Sequence, residues 1–281
     1  MMKLFDIVKK SALYVLLLVA ALVLLVPLVM LLSYALRDNS EIITVDARFF
    51  PNNWTLSAFF NVFKRSVGEA NFIGSFFNSL WINTLSAIFS TYVAALGGYG
   101  FIRYNFAGKK LFFFFIFFSQ VMPWIVLLIP YYSIMAGLKM LDNLFTVMFS
   151  YIIICVPVNA WLFIGFFKEQ TPSLEEAAKI DGCSPIGVFH RIVMPLAMPA
   201  LSALLLFSFI VGWGDFLFSS VLVSSGRNLT LPLLLQTYKG MYFVDWAMIM
   251  AVSVIMTVPI VVLFLFLQKQ LVNLMTGSLK E

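Results

Sequence analysis

The chain has 281 residues, of which 62% are hydrophobic and 11% are charged. Soluble globular domains contain about 25% charged and about 45 to 50% apolar residues, so this composition excludes an ordinary soluble domain. The net charge is only +5, and no basic surface suited to nucleic acid is evident. We therefore predict an all-α, polytopic membrane protein.

Six windows with few or no charges are each long enough for a transmembrane helix, which needs about 20 apolar residues. The predicted spans are residues 13–36, 73–101, 111–135, 143–167, 196–222 and 246–268. The first window follows Lys3, Lys9 and Lys10, as the core of a secretory signal would. It is longer than a signal core, however, and no cleavage motif follows it. We expect one transmembrane domain over residues 1–281, with this first helix retained.

The distribution of lysine and arginine predicts the orientation, because cytoplasmic loops collect these residues. With both termini inside, eleven of them fall in inner segments and seven in outer segments. We therefore expect a multi-pass protein of the cell membrane with both termini cytoplasmic. Residues 168–195 would also be cytoplasmic, whereas 37–70 and 226–245 would face outward.

Polar residues inside spans two to four are candidates for lining a solute pathway, because polar side chains at membrane depth usually face a cavity or a partner. These candidates are Asn78, Ser79, Asn83, Gln120, Trp124 and Asn159. Tryptophan is also common in the interfacial belts of membrane proteins. A belt or packing position therefore explains a single tryptophan more simply than a pathway does.

Residues 168–195 predict a folded loop rather than a slack linker. Ser173 and Glu176 have capping-box spacing, in which each side chain bonds a free amide of the first turn. Glu175 and Glu176 also suit the positive end of the helix dipole. Gly182 is suited to end this short helix.

A second short helix is predicted directly after the first. Ser184 can cap it, and Pro185 is well placed at its first position. Pro195 would then return the chain to the membrane. The loop is thus predicted to contain two short helices that meet at a glycine.

Asp215 is the one acid at or near membrane depth, two residues after Trp213 in span five. Because an intramembrane carboxylate usually faces a cavity or a partner, Asp215 joins Trp213 as a candidate pathway residue. Alternatively, span five ends near Gly214 and leaves Asp215 at the outer interface. The sequence leaves both interpretations open.

One pattern in the predicted loop resembles a known family signature. It consists of Glu176, Ala177, Ala178, Asp181, Gly182, Phe189, Ile192, Pro195 and Leu196. It resembles the EAA cytoplasmic loop in permease subunits of binding-protein-dependent ABC importers. Further segments resemble the carbohydrate-uptake branch, specifically the shorter permease of a maltose-type pair. They are PNNWTLSAFFNVF at 51–63, NSLWINT at 78–84, DWAMIMAVSVIMTVPIVVLF at 245–264 and the tail LQKQLVNLMTGSLKE.

Two positions depart from the family pattern. Gly214 stands where the family often has asparagine, and Asn273-Leu274 replaces the usual glycine-containing sequence in the tail. These departures weaken a transfer of family roles to those positions only.

The resemblance implies the fold of a type I ABC importer transmembrane domain, in which the loop docks as a coupling helix on a separate ATPase subunit. The residues implied in this coupling are Glu175, Glu176, Ala177, Ala178, Asp181, Gly182, Phe189, Ile192 and Pro195. We expect the alanines to permit close approach, and the acids to give orientation and charge complementarity. A solvated loop whose acids keep it out of the lipid is the alternative.

The resemblance also implies the partners and the class of solute. The partners would be a homologous second permease, an ATPase subunit dimer, an extracytoplasmic solute-binding protein and membrane lipid. The solute would be a di- or oligosaccharide, although close relatives import glycerol phosphate and other polar solutes. Tyr238, Gly240 and Tyr242 would contact the binding protein, unless their segment is an interfacial re-entrant loop.

The residues themselves offer little other chemistry. The only Gly-Lys pair, Gly108-Lys109, lacks the earlier glycine and the following Ser or Thr of a P-loop. ATP and magnesium are therefore expected on the ATPase, with no cofactor on this chain and no enzymatic activity of its own. His190 is the only histidine, which excludes a histidine-based metal cluster.

Two rival classes of function are considered. An ion-coupled secondary transporter would use Asp215 as its ion site and would show internal repeats with paired broken helices, but no convincing repeat is found. A membrane enzyme would need a cluster of catalytic residues, and none is evident. Uptake that requires ATP hydrolysis and survives an uncoupler separates an ABC importer from both.

Overall fold

The computed structural model describes residues 2–43, 48–170, 172–240 and 243–277. Within them the chain is almost entirely helical. The helices are α1 (Met2–Ala35), α2 (Asn39–Ile42), α3 (Ser57–Lys64), α4 (Phe72–Arg103), α5 (Lys109–Val121), α6 (Trp124–Gly137), α7 (Leu144–Glu169), α8 (Ser173–Ile180), α9 (Pro185–Val188), α10 (Met194–Leu196), α11 (Met198–Trp213), α12 (Leu217–Leu222), α13 (Leu231–Thr237) and α14 (Trp246–Gly277). The other regular elements are a π-helical turn (Phe189–Val193), a 3₁₀ turn (Gly226–Asn228) and an antiparallel ladder of β1 (Ser66–Val67) and β2 (Ala70–Asn71), in which Ser66 pairs with Asn71.

Several of these helices are long and apolar enough to cross a membrane. In the described part of the chain, four do so as continuous helices: Lys9–Ala35, Phe72–Arg103, Leu144–Glu169 and Trp246–Val272. Two bent pairs, α5 with α6 and the Pro185–Leu196 segment with α11, raise the number to six if each pair forms one span. The predicted all-α membrane fold is confirmed.

The predicted span 111–135 is divided between α5 and α6, and the chain bends by 103° from one helix to the next. Met122 has an extended backbone with φ of −74° and ψ of 128°. A residue before proline is disfavoured in the helical conformation, and Pro123 itself has no N–H to donate. The proline therefore ends α5, and α6 begins at Trp124.

The predicted span 196–222 is likewise divided, with α11 ending at Trp213 and α12 beginning at Leu217. Asp215 lies in the break. Its Oδ1 accepts from the amide of Phe218 at 3.2 Å, and its Oδ2 accepts from the amide of Ser219 at 3.0 Å. The carboxylate thus satisfies free amides at the start of α12, as a helix-capping acid does.

The chain forms two compact units, of which the second comprises residues 66–234 and 259–281. In this unit α4 packs along α7 and α11. The buried face of α4 carries small residues at every fourth position, namely Ser86, Ser90, Ala94 and Gly98. Small residues let membrane helices approach closely. At Gly98 the approach is so close that an added Cβ would lie 2.8 Å from Cβ of Phe163 on α7.

The first unit comprises residues 1–65 and 235–258. Asp245 begins α14 by accepting from the amide of Met248 at 3.2 Å, and it forms an ion pair with Arg65 at 3.0 Å. Asn39 binds the carbonyl of Val244 at 3.2 Å. In contrast to these polar contacts, the most apolar stretch of α1 has no buried residue among those that the structure describes.

Candidate functional site

The candidate site is the polar segment from α8 to α10, and its first helix ends in a motif that requires glycine. Gly182 has φ of +84°. Its amide donates to the carbonyl of Lys179 at 3.1 Å, and the amide of Cys183 donates to the carbonyl of Ala178 at 2.9 Å. These two bonds are those of a Schellman motif, which closes a helix through a left-handed residue. The prediction that Gly182 ends the first helix is confirmed.

The start of the second helix also agrees with the sequence. The hydroxyl of Ser184 accepts from the amide of Gly187 at 3.2 Å, and Pro185 occupies the first turn of α9. The predicted capping role of Ser173 is wrong. Pro172 already has a helical backbone, with φ of −76° and ψ of −1°, and makes no side-chain cap bond. Ser173 therefore lies inside the first turn, where it cannot take the extended backbone of a capping residue.

The two neighbouring acids of α8 have different environments. Glu176 is exposed, whereas Glu175 is buried. The carboxylate of Glu175 binds Arg103 at 2.7 Å and accepts from the hydroxyl of Tyr99 at 2.9 Å. Glu175 thus lies against α4 and not on a free docking face, because a cation at the end of α4 neutralises it inside the protein.

The expected coupling residues divide between an inner and an outer side. Phe189 is buried, and Ala178 packs against the same hydrophobic core, which joins α4, α7 and α11. Ile192 is half-buried. The exposed members are Glu176, Ala177, Asp181, Gly182 and Pro195. Among the predicted set, therefore, Glu175, Ala178 and Phe189 hold the segment in place, and the exposed members are free to meet another protein.

Two isoleucines outside the predicted set are the most exposed apolar side chains of the segment. Ile180 is 86% exposed and Ile186 is 72% exposed. They lie on either side of the Gly182 turn. A segment whose inner side is packed and whose outer side presents isoleucine is typical of a protein–protein contact.

Sequence reasoning also missed Arg103 and Tyr99. Both lie on α4 and are separated by four residues, which places them on the same helix face. An arginine at the end of a long apolar stretch is usually interpreted as an ordinary membrane-flanking charge. The spacing from Tyr99 was the one available signal, and it does not identify the distant partner Glu175.

Asn83 and Asn159, two of the predicted pathway residues, are buried in helix contacts. The amide of Asn83 donates to the carbonyl of Ser79 at 2.7 Å, and that of Asn159 donates to the hydroxyl of Ser208 at 2.8 Å. A Cβ added to Gly212 would lie 2.0 Å from Oδ1 of Asn83. The asparagine thus fills the space beside this glycine and has no free surface in this conformation.

Other predicted pathway residues hold loops or pack against rings. Asn78 binds the carbonyls of Arg227 and Leu229 at 2.9 and 3.0 Å. The hydroxyl of Ser79 accepts from the amide of Leu231 at 2.8 Å. Trp213 is buried and stacks on Phe209, with ring centroids 5.2 Å apart.

Besides the half-buried Asn78, three of the predicted pathway residues keep some accessible surface. Gln120 is half-buried and Trp124 is exposed, and they flank the break between α5 and α6. Asp215 is half-buried and accepts from the hydroxyl of Tyr151 at 3.0 Å. A cavity of about 500 Å³ between α4, α5 and α7 is lined by apolar side chains such as Phe101, Phe112 and Phe115, and not by the predicted pathway residues.

The segment predicted to face outward, residues 226–245, contains an antiparallel bridge between Lys239 and Val244. Tyr238 is 2% exposed, so its ring is unavailable to a binding protein in this conformation. Burial raises the pKa of Tyr238 above its usual value. Gly240 and Phe243 are exposed. Tyr242, the third predicted contact, lies outside the described residues.

The described residues contain no group of three or more His, Cys, Asp or Glu side chains that would hold a metal ion. The two cysteines, Cys155 and Cys183, are free thiols. What the described part of the site does show is a polar segment with exposed isoleucines, held to α4 by one buried ion pair.

Comparison with known proteins places these features in context. The family described as "binding-protein-dependent transport system inner membrane component" matches residues 86–277. The maltodextrin transport system permease protein MdxG of Bacillus subtilis is 31% identical over 96% of this chain and 95% of its own length. The diacetylchitobiose uptake system permease protein DasC of Streptomyces coelicolor is 28% identical over 90% of both chains.

Solved structures show the same fold. A chain of a bacterial ABC transporter that imports the acidic polysaccharide alginate superimposes with a TM-score of 0.77 at 22% identity, covering 94% of this chain and 96% of its own. A chain from a bacterial alginate ABC transporter in complex with a periplasmic protein carrying an alginate pentasaccharide gives a TM-score of 0.65 at 16% identity, with 93% and 94% covered.

Proposed function

Because this chain belongs to the family of binding-protein-dependent transport system inner membrane components, we propose that it forms, with a second permease, the membrane pathway of an ATP-driven oligosaccharide importer. It is a multi-pass membrane subunit and not an enzyme. ATP hydrolysis is assigned to a separate ATPase subunit. The substrate class rests on the relatives, whose names specify maltodextrin and diacetylchitobiose.

The observation that carries the proposal is the two-sided segment from α8 to α10. Its inner side belongs to the core that joins α4, α7 and α11, and its outer side exposes Ile180 and Ile186. Burial of an exposed aliphatic side chain by a partner is favourable, with a free energy of roughly 1.5 to 3 kcal/mol for each side chain that becomes fully buried. Glu176, Lys179 and Asp181, which are also exposed, would orient the contact. This surface is suited to an ATPase subunit.

The second permease is proposed as the partner of α1 and of the pathway. The apolar stretch of α1 has no buried residue within the described chain, so another membrane helix or lipid must cover it. The buried positions of Asn83, Asn159 and Trp213 also favour a pathway that is completed by another subunit. The distribution of lysine and arginine supports cytoplasmic termini.

The binding protein is proposed to approach the hairpin between α13 and α14. Gly240 and Phe243 are exposed there, whereas Tyr238 packs inside. Among the described residues of this surface, therefore, Phe243 is an available aromatic ring and Tyr238 is not.

The test is uptake by the complete complex in membrane vesicles. With the ATPase and binding protein present, we expect uptake of oligosaccharides to require ATP hydrolysis and to survive an uncoupler, and a panel that includes glycerol phosphate would define the solute class. Paired Ile180→Asp and Ile186→Asp changes should release the ATPase, because each would bury an unpaired charge. Paired Ile180→Val and Ile186→Val changes, which keep the apolar contact, serve as the control. Uptake by the isolated chain without an ATPase would refute the proposal.

A further inference from the structure

A buried ion pair joins the end of α4 to the candidate docking segment. Oε1 of Glu175 accepts from Nη2 of Arg103 at 2.7 Å and from Nε at 3.0 Å. Oε2 accepts from the same Nε at 3.0 Å and from the hydroxyl of Tyr99 at 2.9 Å. The side chains of Arg103 and Glu175 are only 14% and 7% exposed. Both carboxylate oxygens are therefore occupied by donors from α4.

The same arginine also reaches the end of α7. Its Nη2 donates to the carbonyl of Gln170 at 3.2 Å, directly after the last residue of that helix. The ring of Tyr99 packs against Phe167 of α7 at 5.9 Å and against Phe189 of the π-helical turn at 5.3 Å. Arg103 and Tyr99 thus meet α7, α8 and the π-helical turn at one place.

The hydrogen-bonded ion pair between Arg103 and Glu175 fixes the orientation of α8 relative to α4 in addition to holding the two helices together. A buried ion pair is weak evidence for stability, because removing two charges from water offsets much of their attraction. Its loss is costly, however, because one charge is left buried and unpaired. A planar guanidinium fork also fixes the angle of its carboxylate partner, which apolar contacts do not. Another polar link between α4 and this region, from Tyr92 to His190 at 2.9 Å, is a single exposed bond.

We propose that Arg103, Glu175 and Tyr99 are positioning residues that form a coupling strut, through which a displacement of α8 is transmitted to α4. The inference rests on the proposed function, since the displacement would come from the docked ATPase. Because α4 packs along α7 and α11, a movement imposed at Arg103 extends into the transmembrane body. If the strut is broken, α8 can move with the ATPase while α4 stays behind. ATP hydrolysis then continues without proportionate uptake.

The test compares the solute taken up per ATP hydrolysed in purified, reconstituted complexes. Glu175→Gln places an amide N–H₂ where the carboxylate accepted, and Arg103→Gln removes the cation. We expect both variants to retain the ATPase subunits, while uptake per ATP falls by about tenfold or more. Arg103→Lys keeps the charge but loses the fork and should show a smaller fall. Glu169→Gln, an exposed acid at the end of α7, is the matched control and should keep the wild-type ratio.

The ratio distinguishes a strut from a merely structural contact, because loss of folded protein lowers uptake and hydrolysis together. Restoration of the ratio by the exchanged pair Arg103→Glu with Glu175→Arg would support the inference. A wild-type ratio in assembled Glu175→Gln or Arg103→Gln complexes would overturn it. If those variants fail to assemble, Tyr99→Phe and Arg103→Lys decide the question, and wild-type ratios in both would equally overturn it. Absence of ATP-dependent uptake in the wild-type complex would instead contradict the proposed function.

Discussion

Replacing Gly182 by valine isolates backbone strain at the turn between α8 and α9. Gly182 has φ of +84°, and glycine adopts this region without a Cβ penalty. A Cβ added there would meet no atom within 4 Å. The added Cβ therefore causes no collision, and we attribute the effect of the substitution to the conformational preference of the chain.

The left-handed conformation costs an L-residue roughly 1 to 2 kcal/mol, and β-branched residues are especially rare in it. A return to negative φ would relieve that strain but would break the bonds from the amides of Gly182 and Cys183, which measure 3.1 and 2.9 Å. Since 1.4 kcal/mol corresponds to a tenfold change, the native turn should become about 5- to 30-fold less favoured. Asparagine tolerates this region best among non-glycine residues, so we expect the order of damage valine, alanine, asparagine.

The assay is recovery of the ATPase with the tagged permease, together with solute uptake, in membranes that contain equal amounts of each variant. Insertion should be unaffected, because Gly182 lies outside the candidate membrane spans of the described residues. Gly165→Val is the matched control, since Gly165 lies inside α7 and an added Cβ would also meet no atom within 4 Å. Wild-type uptake by Gly182→Val, or equal damage from valine and asparagine, would refute the reasoning from backbone strain.

Three further predictions concern packing, pH and topology. Gly98→Ala should lower the free energy of unfolding by about 1 to 3 kcal/mol through overpacking. Gly97→Ala should not lower it, because no atom lies within 4 Å of a Cβ added there. Thermal unfolding of the purified subunit measures both variants, and equal effects would contradict the close contact at Gly98. Burial raises the pKa of Asp142, but hydrogen bonds from Ser225 and Ser224 outweigh burial and hold this pKa below its usual value. The contribution of Asp142 to stability should therefore be lost as the pH falls through the lowered pKa. Asp142→Asn should remove that part of the pH dependence of thermal unfolding. Lys179→Cys, in a Cys183→Ser background, should react with an impermeant thiol reagent only in inside-out vesicles. Labelling of this cysteine in intact cells would contradict the predicted orientation.

Much of the fold follows from signals that act over a few residues. Six apolar windows are evident from composition alone, since each needs only its own length to satisfy the membrane. Gly182 and Ser184 were also identifiable, because helix stops and caps depend on backbone groups one to four residues away. Ser173 shows the limit of such signals, since one residue before it, Pro172, already has the helical backbone.

The helix breaks in the third and fifth predicted spans were only partly visible in the sequence. Pro123 breaks a helix by a local rule, yet a proline inside a helix is not always a break: Pro157 lies within the continuous α7. In the fifth span, Asp215 reads as an intramembrane acid in sequence. In the structure Asp215 caps the start of α12, because its carboxylate lies close enough to accept a hydrogen bond from the free backbone amide of Ser219.

The sequence by itself determined that this is an all-α membrane protein with a structured polar segment between two of its spans, because hydropathy and capping are properties of short stretches of chain. Only the tertiary structure decided the surroundings of each polar residue. It placed Glu175 against Arg103, which is 72 residues away, and it buried Asn83 and Asn159 between helices where a pathway surface was expected. Such pairings depend on which helix faces meet. Small residues such as Gly98 and Gly212 pack against side chains far away in sequence, and this packing decides which neighbour a polar residue faces.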